Sequence, residues 1–214
     1  MKTDPQRFIL DNTTIMAPPH VPEIRLHLAD EAHDLWLKTE DELQAIGLPP
    51  PFWAFAWAGG QGLARYILDH PQTVAGKNVI DFASGSGLVA IAALMAGARA
   101  VLAIDIDPWT RTAVELNSRL NSVQITFSTE DIIGSDIDAD LLLAGDVFYD
   151  KGFAERLIPW FEALARSGTT IIVGDPGRSY CPRDRMQALA TYQVPVTRAL
   201  EDAEVKKTTV WKFS

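Results

Sequence analysis

The stretch Val79-Ile80-Asp81-Phe82-Ala83-Ser84-Gly85-Ser86-Gly87 decides the fold of this chain. Its first half is mostly apolar, as in a buried strand, and its second half is a glycine-rich turn. A run of small apolar residues, 88–95, follows directly and predicts a helix that lies close to a sheet. Glycines let the backbone turn tightly and approach a ligand without an intervening side chain. The stretch therefore predicts a strand–turn–helix unit of a ligand-binding α/β sheet.

Strands and helices alternate from this stretch onward. The predicted strands are 78–83, 100–105, 123–128, 140–145 and 169–174, and the predicted helices are 88–95, 108–121 and 153–165. This alternation implies right-handed crossovers and a parallel sheet with helices on both faces. Two further β-type runs, 192–199 and 206–213, are separated only by the acidic turn Glu201-Asp202-Ala203-Glu204 and predict an antiparallel hairpin. A Rossmann-like, seven-stranded, mostly parallel α/β sheet with a C-terminal hairpin is the topology of class I methyltransferases rather than of dehydrogenases.

The N-terminal part of the chain lacks this alternation. Residues 30–46 carry an apolar stripe at helical spacing, and Gly47 and the Pro49-Pro50-Pro51 run would stop such a helix. We therefore expect residues 1–50 to form a helical extension. Residues 51–214 are expected to form one globular class I methyltransferase domain.

Composition limits the kinds of protein that this chain can be. With 214 residues, of which 47% are hydrophobic, it can bury one substantial core. No apolar stretch is long enough to span a bilayer, so we expect no membrane association. The net charge of −9 argues against a nucleic-acid partner and suits a basic one, although such a charge can also simply keep a protein soluble.

The sparse metal-ligating residues predict no metal site. The chain has one cysteine, Cys181, and all of its 4 histidines precede the glycine-rich turn. The first thirty residues contain several acids, no serine and no long apolar run, which fits neither a transit peptide nor a secretory signal. We expect a cytoplasmic protein, with a monomer as the default state.

Acidic residues at two strands predict what the glycine turn binds. Asp105 ends the strand after the turn, where a carboxylate can accept hydrogen bonds from both ribose hydroxyls of a nucleoside. With Gly85 and Gly87 it predicts an adenosine site, which both NAD and S-adenosylmethionine fit. Asp81 favours S-adenosylmethionine, because its carboxylate would neutralise the amino group of the methionine part and repel a pyrophosphate. The alternative for Asp81 is a carboxylate that caps a helix or stabilises the turn.

Two more residues are candidate cofactor ligands. Asp131 follows the third predicted strand and is placed to receive the adenine amino group. Trp57 lies in the aromatic segment 52–61 and can flank the cofactor, because an aromatic face attracts the sulfonium cation. Such an aromatic can equally belong to the core.

The segment after the fourth predicted strand suits an amine acceptor. Asp146 and Tyr149 are the candidate catalytic residues, with Asp146 orienting an incoming ammonium, and Phe148 is expected to wall the substrate channel beside Tyr149. A lysine with a pKa near ~10.4 must lose a proton before it can attack a methyl group. The alternative is that Phe148 and Tyr149 simply cover the sheet edge. Asp146→Ala is expected to abolish methylation and leave the fold intact.

A second loop on the same rim is a candidate for substrate contact. Asp175 and Arg178 lie in Gly174-Asp175-Pro176-Gly177-Arg178, directly after the fifth predicted strand. Ligands of open α/β sheets bind outside the carboxyl ends of the strands. A rigid turn without substrate contact is the other interpretation.

Four segments in this order resemble one family, the lysine methyltransferases of the electron transfer flavoprotein β subunit. They are Phe52-Trp53-Ala54-Phe55-Ala56-Trp57-Ala58-Gly59-Gly60-Gln61, the glycine-rich stretch, Asp146-Val147-Phe148-Tyr149 and the 174–178 loop, with a similar Thr208-Thr209-Val210-Trp211. The resemblance covers roughly residue 51 to the C-terminus. It implies S-adenosylmethionine as cofactor and methylation of lysines on the flavoprotein β subunit. This chain departs from the usual pattern at Ala58, where vertebrate members tend to have proline, and at Phe82-Ala83-Ser84, where Leu-Gly-Ser is more usual.

Three alternatives stay open at this level. The methyl acceptor can be another protein or a small amine, because an acid flanked by aromatics suits any amine. A nicotinamide-dependent dehydrogenase would bind NAD and would need no C-terminal hairpin. A non-catalytic module would bind the flavoprotein without turnover, against which the intact Gly85, Gly87 and Asp105 argue.

Overall fold

The structure, a computed structural model, describes residues 4–29, 50–196, 201 and 203–213. Its strands are β1 (Thr14–Met16), β2 (Leu26–Leu28), β3 (Asn78–Phe82), β4 (Ala100–Ile104), β5 (Thr126–Ser128), β6 (Leu141–Gly145), β7 (Thr170–Asp175), β8 (Met186–Pro195) and β9 (Val205–Phe213). Its α-helices are α1 (Pro5–Asn12), α2 (Ala58–Asp69), α3 (Leu88–Met95), α4 (Pro108–Leu120) and α5 (Lys151–Arg166). Short 3₁₀ turns lie at Phe52–Ala54, Pro71–Thr73 and Arg183–Arg185.

The main sheet has 7 strands in the order β5-β4-β3-β6-β7-β9-β8. The strands from β3 to β7 are parallel to their neighbours, and β9 is antiparallel to both β7 and β8. This arrangement confirms the predicted sheet and its terminal hairpin. The chain proceeds outward from β3 to β5 and then returns to β6 on the other side of β3. Ligands of open α/β sheets bind at such a reversal, which places the expected site at the carboxyl ends of β3 and β6.

Helices cover both faces of the sheet, because its central strands are apolar on both sides. In β3, Val79 packs in the core beneath α2 and α3, and its neighbour Ile80 packs in the second core beneath α5. In β6, Leu141 and Leu142 divide between the same two cores. Successive side chains of a strand point to opposite faces, so a continuous apolar run is what a strand buried on both sides requires.

The edge strands differ most from their predicted bounds. β8 begins at Met186, six residues before the predicted start at 192, and β5 covers only Thr126–Ser128. Only Met186 and Val194 are buried among the ten residues of β8, which also has an irregularity between Ala188 and Ala190. An edge strand with so few buried positions has no clear period-two pattern, so the sequence signal for its beginning is weak.

The described N-terminal residues pack against the rest of the molecule. Strands β1 and β2 pair as an antiparallel ribbon, and the three side chains of β2 are buried. Ile9 of α1 lies in a smaller core with Trp53 and Leu116. The helix predicted for residues 30–46 lies outside the described residues. The division of the chain near residue 50 therefore stays a prediction.

A left-handed residue after β3 provides a stability test. Ala83 has φ 54°, a region in which an L-residue is strained by roughly 1–2 kcal/mol. We expect Ala83→Gly to raise the free energy of unfolding by about 0.5–1 kcal/mol, since the relief exceeds the extra entropy that glycine has in the unfolded chain. Urea denaturation measures this change.

The reverse substitution at a free loop position is the control for Ala83→Gly. Gly134 has φ 87° and no atom within 4 Å of an added Cβ, so Gly134→Ala changes only the backbone preference. It is expected to lower the free energy of unfolding by about 1 kcal/mol. A loss of stability in Ala83→Gly would contradict the assignment of strain to this position.

Candidate active site

The glycine turn and the acidic end of β4 are joined directly. The backbone amide of Gly85 donates to Oδ2 of Asp105 at 3.0 Å, and the amide of Asp107 donates to Oδ1 at 3.0 Å. A carboxylate has about four lone-pair sites, so both oxygens keep acceptor capacity for ribose hydroxyls. Burial raises the pKa of Asp105. Hydrogen bonds from a ligand to this carboxylate would favour its ionised form.

Asp81 lies beneath the turn and caps the next helix. Its carboxylate is buried, and Oδ2 accepts a hydrogen bond from the backbone amide of Ala90 in the first turn of α3 at 2.9 Å. Burial raises the pKa of Asp81 well above its ordinary value, and the nearby Asp105 raises it further. An ammonium group beside this carboxylate would restore its charge. The capping role and the proposed ligand role are therefore compatible.

A cleft lies between the glycine turn and the beginning of α2. Its lining residues come from the aromatic segment, the turn and the end of β6: Phe55, Trp57, Gly60, Asp81, Ala83, Ser84, Gly85, Ser86, Leu88, Val89 and Gly145. Trp57 is held at this wall, because its Nε1 donates to the carbonyl of Phe52 at 3.0 Å. The hydroxyl of Ser84 is buried and has no hydrogen-bond partner among the residues that the structure describes. Such an orphaned group, next to two carboxylates and an open glycine turn, fits a polar ligand such as S-adenosylmethionine.

Asp146 is an anchor as well as a candidate catalytic group. It is buried, and its Oδ2 accepts from the amide of Gly59 at 2.6 Å while Oδ1 accepts from Nε of Arg178 at 2.5 Å. Its own amide donates to the carbonyl of Gly174 at 2.9 Å. Burial raises the pKa of Asp146 although Arg178 and Gly59 act in the opposite direction. Both carboxylate oxygens are therefore engaged by the protein itself.

Glycines bring α2 into backbone contact with the ends of β6 and β7. A Cβ on Gly59 would overlap the carbonyl of Gly174 and lie 2.8 Å from Oδ2 of Asp146. A Cβ on Gly145 would lie 2.8 Å from Cα of Gly60. The two adjacent glycines of α2 thus let the helix N-terminus reach Asp146. This contact brings the aromatic segment, the 146–149 segment and the 174–178 loop together in space.

The guanidinium of Arg178 connects two buried carboxylates behind this contact. Besides Asp146, it reaches Glu201, with Nη2 and Oε2 3.2 Å apart. Asp175 orders the loop, because its Oδ1 accepts from the amides of Gly177 at 2.7 Å and Arg178 at 2.9 Å. Among the described residues, no N–H or O–H group donates to Oδ2 of Asp175, which is buried. The hydrogen bonds of Asp175 thus order this loop as a turn, and a substrate contact of Asp175 and Arg178 stays a prediction.

Glu201 was missed as a site residue by the sequence interpretation. The sequence places it in an acidic turn, yet it is only 4% exposed and accepts a hydrogen bond from the amide of Ala58 at 3.3 Å. Burial raises the pKa of Glu201, and the nearby Asp146 raises it further. No local pattern marks one acid of an acidic run as buried, because its partners lie far away in the sequence.

The two aromatics after Asp146 point in different directions. Tyr149 is 52% exposed, and its ring lies 5.7 Å from that of Phe52 at the mouth of the site. Burial raises the pKa of Tyr149, with the carboxylate of Asp105 contributing. Phe148 is 0% exposed and packs against Phe161 of α5. The placement of Phe148 favours the covering role over a substrate wall, and Phe52 takes the place beside Tyr149.

Asp131 is engaged outside the cleft. Its Oδ2 lies 2.6 Å from Nη2 of Arg156 on α5, and its Oδ1 accepts from the amide of Ile133 at 3.1 Å. The contact with Arg156 lowers the pKa of Asp131. The residue is not among those that line the cleft. Its role toward adenine stays a prediction, and its observed role is to order the loop after β5.

Comparison with known proteins decides the family. Along 99% of the chain, it is 40% identical to a Xenopus laevis protein named electron transfer flavoprotein beta subunit lysine methyltransferase, of which it covers 87%. It is 34% identical to the Homo sapiens protein of the same name, over 96% of this chain and 80% of that protein. The chain belongs to the family of electron transfer flavoprotein β-subunit lysine methyltransferases. The family resemblance and the prediction of a methyltransferase are thereby confirmed.

Broader comparisons place the flavoprotein methyltransferase family among class I folds. The sequence model described as ribosomal protein L11 methyltransferase (PrmA) matches residues 66–173. The ribosomal protein L11 methylase of Lactobacillus delbrueckii subsp. bulgaricus superposes with a TM-score of 0.52 at 22% identity, covering 75% of this chain and 81% of that one. The magnesium protoporphyrin IX methyltransferase of Synechocystis, solved with bound S-adenosylmethionine, superposes with a TM-score of 0.53 at 17% identity, covering 73% and 80%. These similarities support the fold.

The described part of this flavoprotein methyltransferase lacks two features, a cluster of metal ligands and a helix that could span a membrane. In residues 4–29, 50–196, 201 and 203–213, no group of three or more His, Cys, Asp and Glu side chains is arranged to hold a metal ion. Over the same part of the chain, no helix has the length and apolar character needed to cross a membrane.

Proposed function

We propose that this chain is an S-adenosylmethionine-dependent protein-lysine N-methyltransferase that acts on the β subunit of electron transfer flavoprotein. The observation that carries the proposal is the adjacency of two sites. Gly60 and Gly145 line the cleft of the glycine turn. Their chain neighbours, Gly59 and Asp146, form the hydrogen bond that holds the beginning of α2. The cofactor cleft and the residues expected to guide an amine therefore share one rim of the sheet.

The residues around the cleft suit the separate parts of the cofactor. Asp105 would accept hydrogen bonds from the ribose hydroxyls, and Asp81 would face the amino group of the methionine part. The unpartnered hydroxyl of Ser84 offers a further hydrogen bond, and Trp57 supplies an aromatic wall. When bound, S-adenosylmethionine supplies an electrophilic methyl group on a positively charged sulfur.

The charges behind the rim favour a cationic acceptor. The buried acids Asp146, Asp175 and Glu201 are balanced within the described residues by Arg178 and, more distantly, by Lys206, whose Nζ lies 3.9 Å from Glu201. An ammonium group beside these acids would favour their ionised forms, and they would orient it. The exposed aromatics Phe52 and Tyr149 would hold the aliphatic part of a lysine and exclude water from its amine. Alignment and desolvation are the main tasks that methyl transfer requires of a protein.

A direct methylation assay tests the whole proposal. The protein is incubated with recombinant electron transfer flavoprotein and S-adenosylmethionine, and the intact mass of each flavoprotein subunit is measured. We expect mass increases of about 14 Da per transferred methyl on the β subunit, localised to lysines by peptide mapping. Turnover on free amines or on other lysate proteins, without modification of the flavoprotein, would favour the broader amine-acceptor alternative. Stabilisation by NADH instead of S-adenosylhomocysteine would favour a dehydrogenase.

Asp105→Asn tests the cofactor site separately. The substitution removes the charge that receives ribose hydroxyls, and hydrogen bonds to a charged group contribute about 1.5–3 kcal/mol. We expect the dissociation constant of S-adenosylhomocysteine, measured by calorimetry, to rise by roughly 10- to 100-fold. Asp107→Asn is the matched control, since Asp107 caps α4 through the amide of Trp109 at 2.9 Å. Equal effects of both variants would show that the loss comes from the loop and not from the ribose contact.

The cellular setting is part of the proposal. We propose a cytoplasmic, monomeric enzyme without a nucleic-acid partner, and the net charge of −9 supports the absence of a nucleic-acid partner. Light scattering after gel filtration measures the molar mass and so tests the monomer.

Binding of the flavoprotein without cofactor binding or turnover would favour a non-catalytic module.

A further inference from the structure

Asn117 is a buried polar residue that the proposed reaction does not use. It lies in α4 and is 0% exposed, and both ends of its amide contact backbone groups of distant segments. Its Oδ1 accepts from the amide of His27 in β2 at 2.7 Å, and its Nδ2 donates to the carbonyl of Ser86 at 2.8 Å. A single side chain therefore joins the N-terminal ribbon to the glycine turn.

The contact of Asn117 with Ser86 restrains the peptide that joins Ser86 to Gly87 in the glycine turn. The next residue, Gly87, has φ 77° and donates its amide to the carbonyl of Ser84 at 2.8 Å. Asn117 thus holds the carbonyl end of the 86–87 peptide while Ser84 holds its amide end. At the other side of the turn, Asp105 holds the amide of Gly85 at 3.0 Å. Two side chains from different elements fix the two ends of one ligand-binding turn.

Asn121, one helical turn further, makes a comparable contact without touching the glycine turn. Its Nδ2 donates to the carbonyl of Arg25 at 2.7 Å, and its Oδ1 accepts from the amide of Arg25 at 3.0 Å. Asn121 directly follows the last residue of α4 and lies on the same side as Asn117, because residues four apart share a helix face. Side-chain amides thus satisfy backbone groups of His27 in β2 and of Arg25 directly before it.

We propose that Asn117 is a positioning residue for the cofactor turn, and that it makes the docked N-terminal ribbon a contributor to S-adenosylmethionine affinity. The proposal rests on the proposed function, since it assigns the turn to that cofactor. Without the amide of Asn117, the buried carbonyl of Ser86 loses its partner and the 86–87 peptide is free to rotate. Rotation would move Ser86, which lines the cleft, away from the arrangement that the ligand requires.

Asn117→Asp and Asn121→Asp form a matched pair for the test. Each change keeps the size of the side chain and replaces one amide donor by an oxygen that faces a backbone carbonyl. We expect Asn117→Asp to raise the dissociation constant of S-adenosylhomocysteine, measured by calorimetry, by about tenfold or more. Asn121→Asp is expected to leave it within about twofold, because the bonds that it loses go to the carbonyls of Arg25 and Asn117 and not to the glycine turn.

Hydrogen exchange of the free proteins gives a readout independent of ligand. The amide of Gly87 is expected to exchange faster in Asn117→Asp than in Asn121→Asp at the same temperature. If Asn117→Asp fails to fold, Asn117→Ser replaces it, since its short side chain cannot reach both partners. Unchanged ligand affinity and unchanged Gly87 exchange in the folded variant would overturn the proposal. Absence of S-adenosylhomocysteine binding by the wild-type protein would instead reject the proposed function.

Discussion

Gly59→Ala is expected to lower the free energy of unfolding by about 3 kcal/mol and to abolish methylation. The added Cβ would overlap the carbonyl of Gly174 and lie 2.8 Å from the amide nitrogen of Asp146. These neighbours are backbone atoms at the ends of β6 and β7, so they cannot rotate out of the way. The helix would have to move outward, which breaks the 2.6 Å hydrogen bond from Gly59 to Asp146.

Gly60→Ala is the matched control for this prediction. It is the next residue of α2, and an added Cβ there would meet no atom within 4 Å. Since alanine is favoured over glycine in a helix by about 1 kcal/mol, its stability is expected to stay equal or rise slightly. Urea denaturation of both variants measures the difference, and only stability is compared because Gly60 lines the cleft. Equal stability of the two variants would show that the close approach of α2 is dispensable.

Asp146→Asn is expected to reduce methylation by roughly 100-fold or more and to destabilise the fold by about 3 kcal/mol. Asparagine tolerates the left-handed backbone of this position, where φ is 63°, so the change isolates the carboxylate charge. Of the two ion-pair partners of Arg178, the substitution removes Asp146 and leaves only Glu201. The sequence alone predicts an intact fold in Asp146→Ala. The structure predicts a destabilised one, because the alanine variant would also leave the amide of Gly59 without its partner.

Asp150→Asn is the control for Asp146→Asn. It shows whether the loss of any carboxylate in this segment has the same effect on methylation and stability. Asp150 caps α5 by accepting from the amide of Phe153 at 2.8 Å and is exposed. Its replacement is expected to cost at most about 1 kcal/mol and to leave turnover nearly unchanged. Methylation is compared at a temperature where all variants are folded. Full turnover by folded Asp146→Asn would remove the carboxylate charge from the catalytic step and leave it a purely structural anchor.

Much of the fold was predictable because its signals are local. The helix 88–95 was predicted with the bounds of α3, since a continuous apolar run between two glycines has clear ends. The helix from Pro108 was correct to within a residue, because Asp107 and proline are both typical of a helix beginning. The beginning of β8 at Met186 was missed, because its exposed edge carries no regular pattern.

In the candidate site, too, some features were predictable from the sequence and others were not. The pairing of Gly85 with Asp105 follows from the order of a strand, a turn and the next strand, and the structure brings the two residues into direct contact. The direction of Phe148 was not predictable, since nothing in Asp146-Val147-Phe148-Tyr149 tells which aromatic faces α5. Nor does any local pattern show that Glu201 and Asn117 are buried.

By itself, the sequence determined the alternating α/β order, the terminal hairpin, the glycine turn with its acidic partner and the membership of a methyltransferase family. Each of these depends on residues that are close together in the chain or on motifs in a given order. The tertiary structure decided that Asp146 anchors α2 and Arg178, that Glu201 joins them, and that Asn117 ties β2 to the turn. Gly59 and Asp146 are 87 residues apart, and only the packing of α2 on the sheet brings the amide of one to the carboxylate of the other.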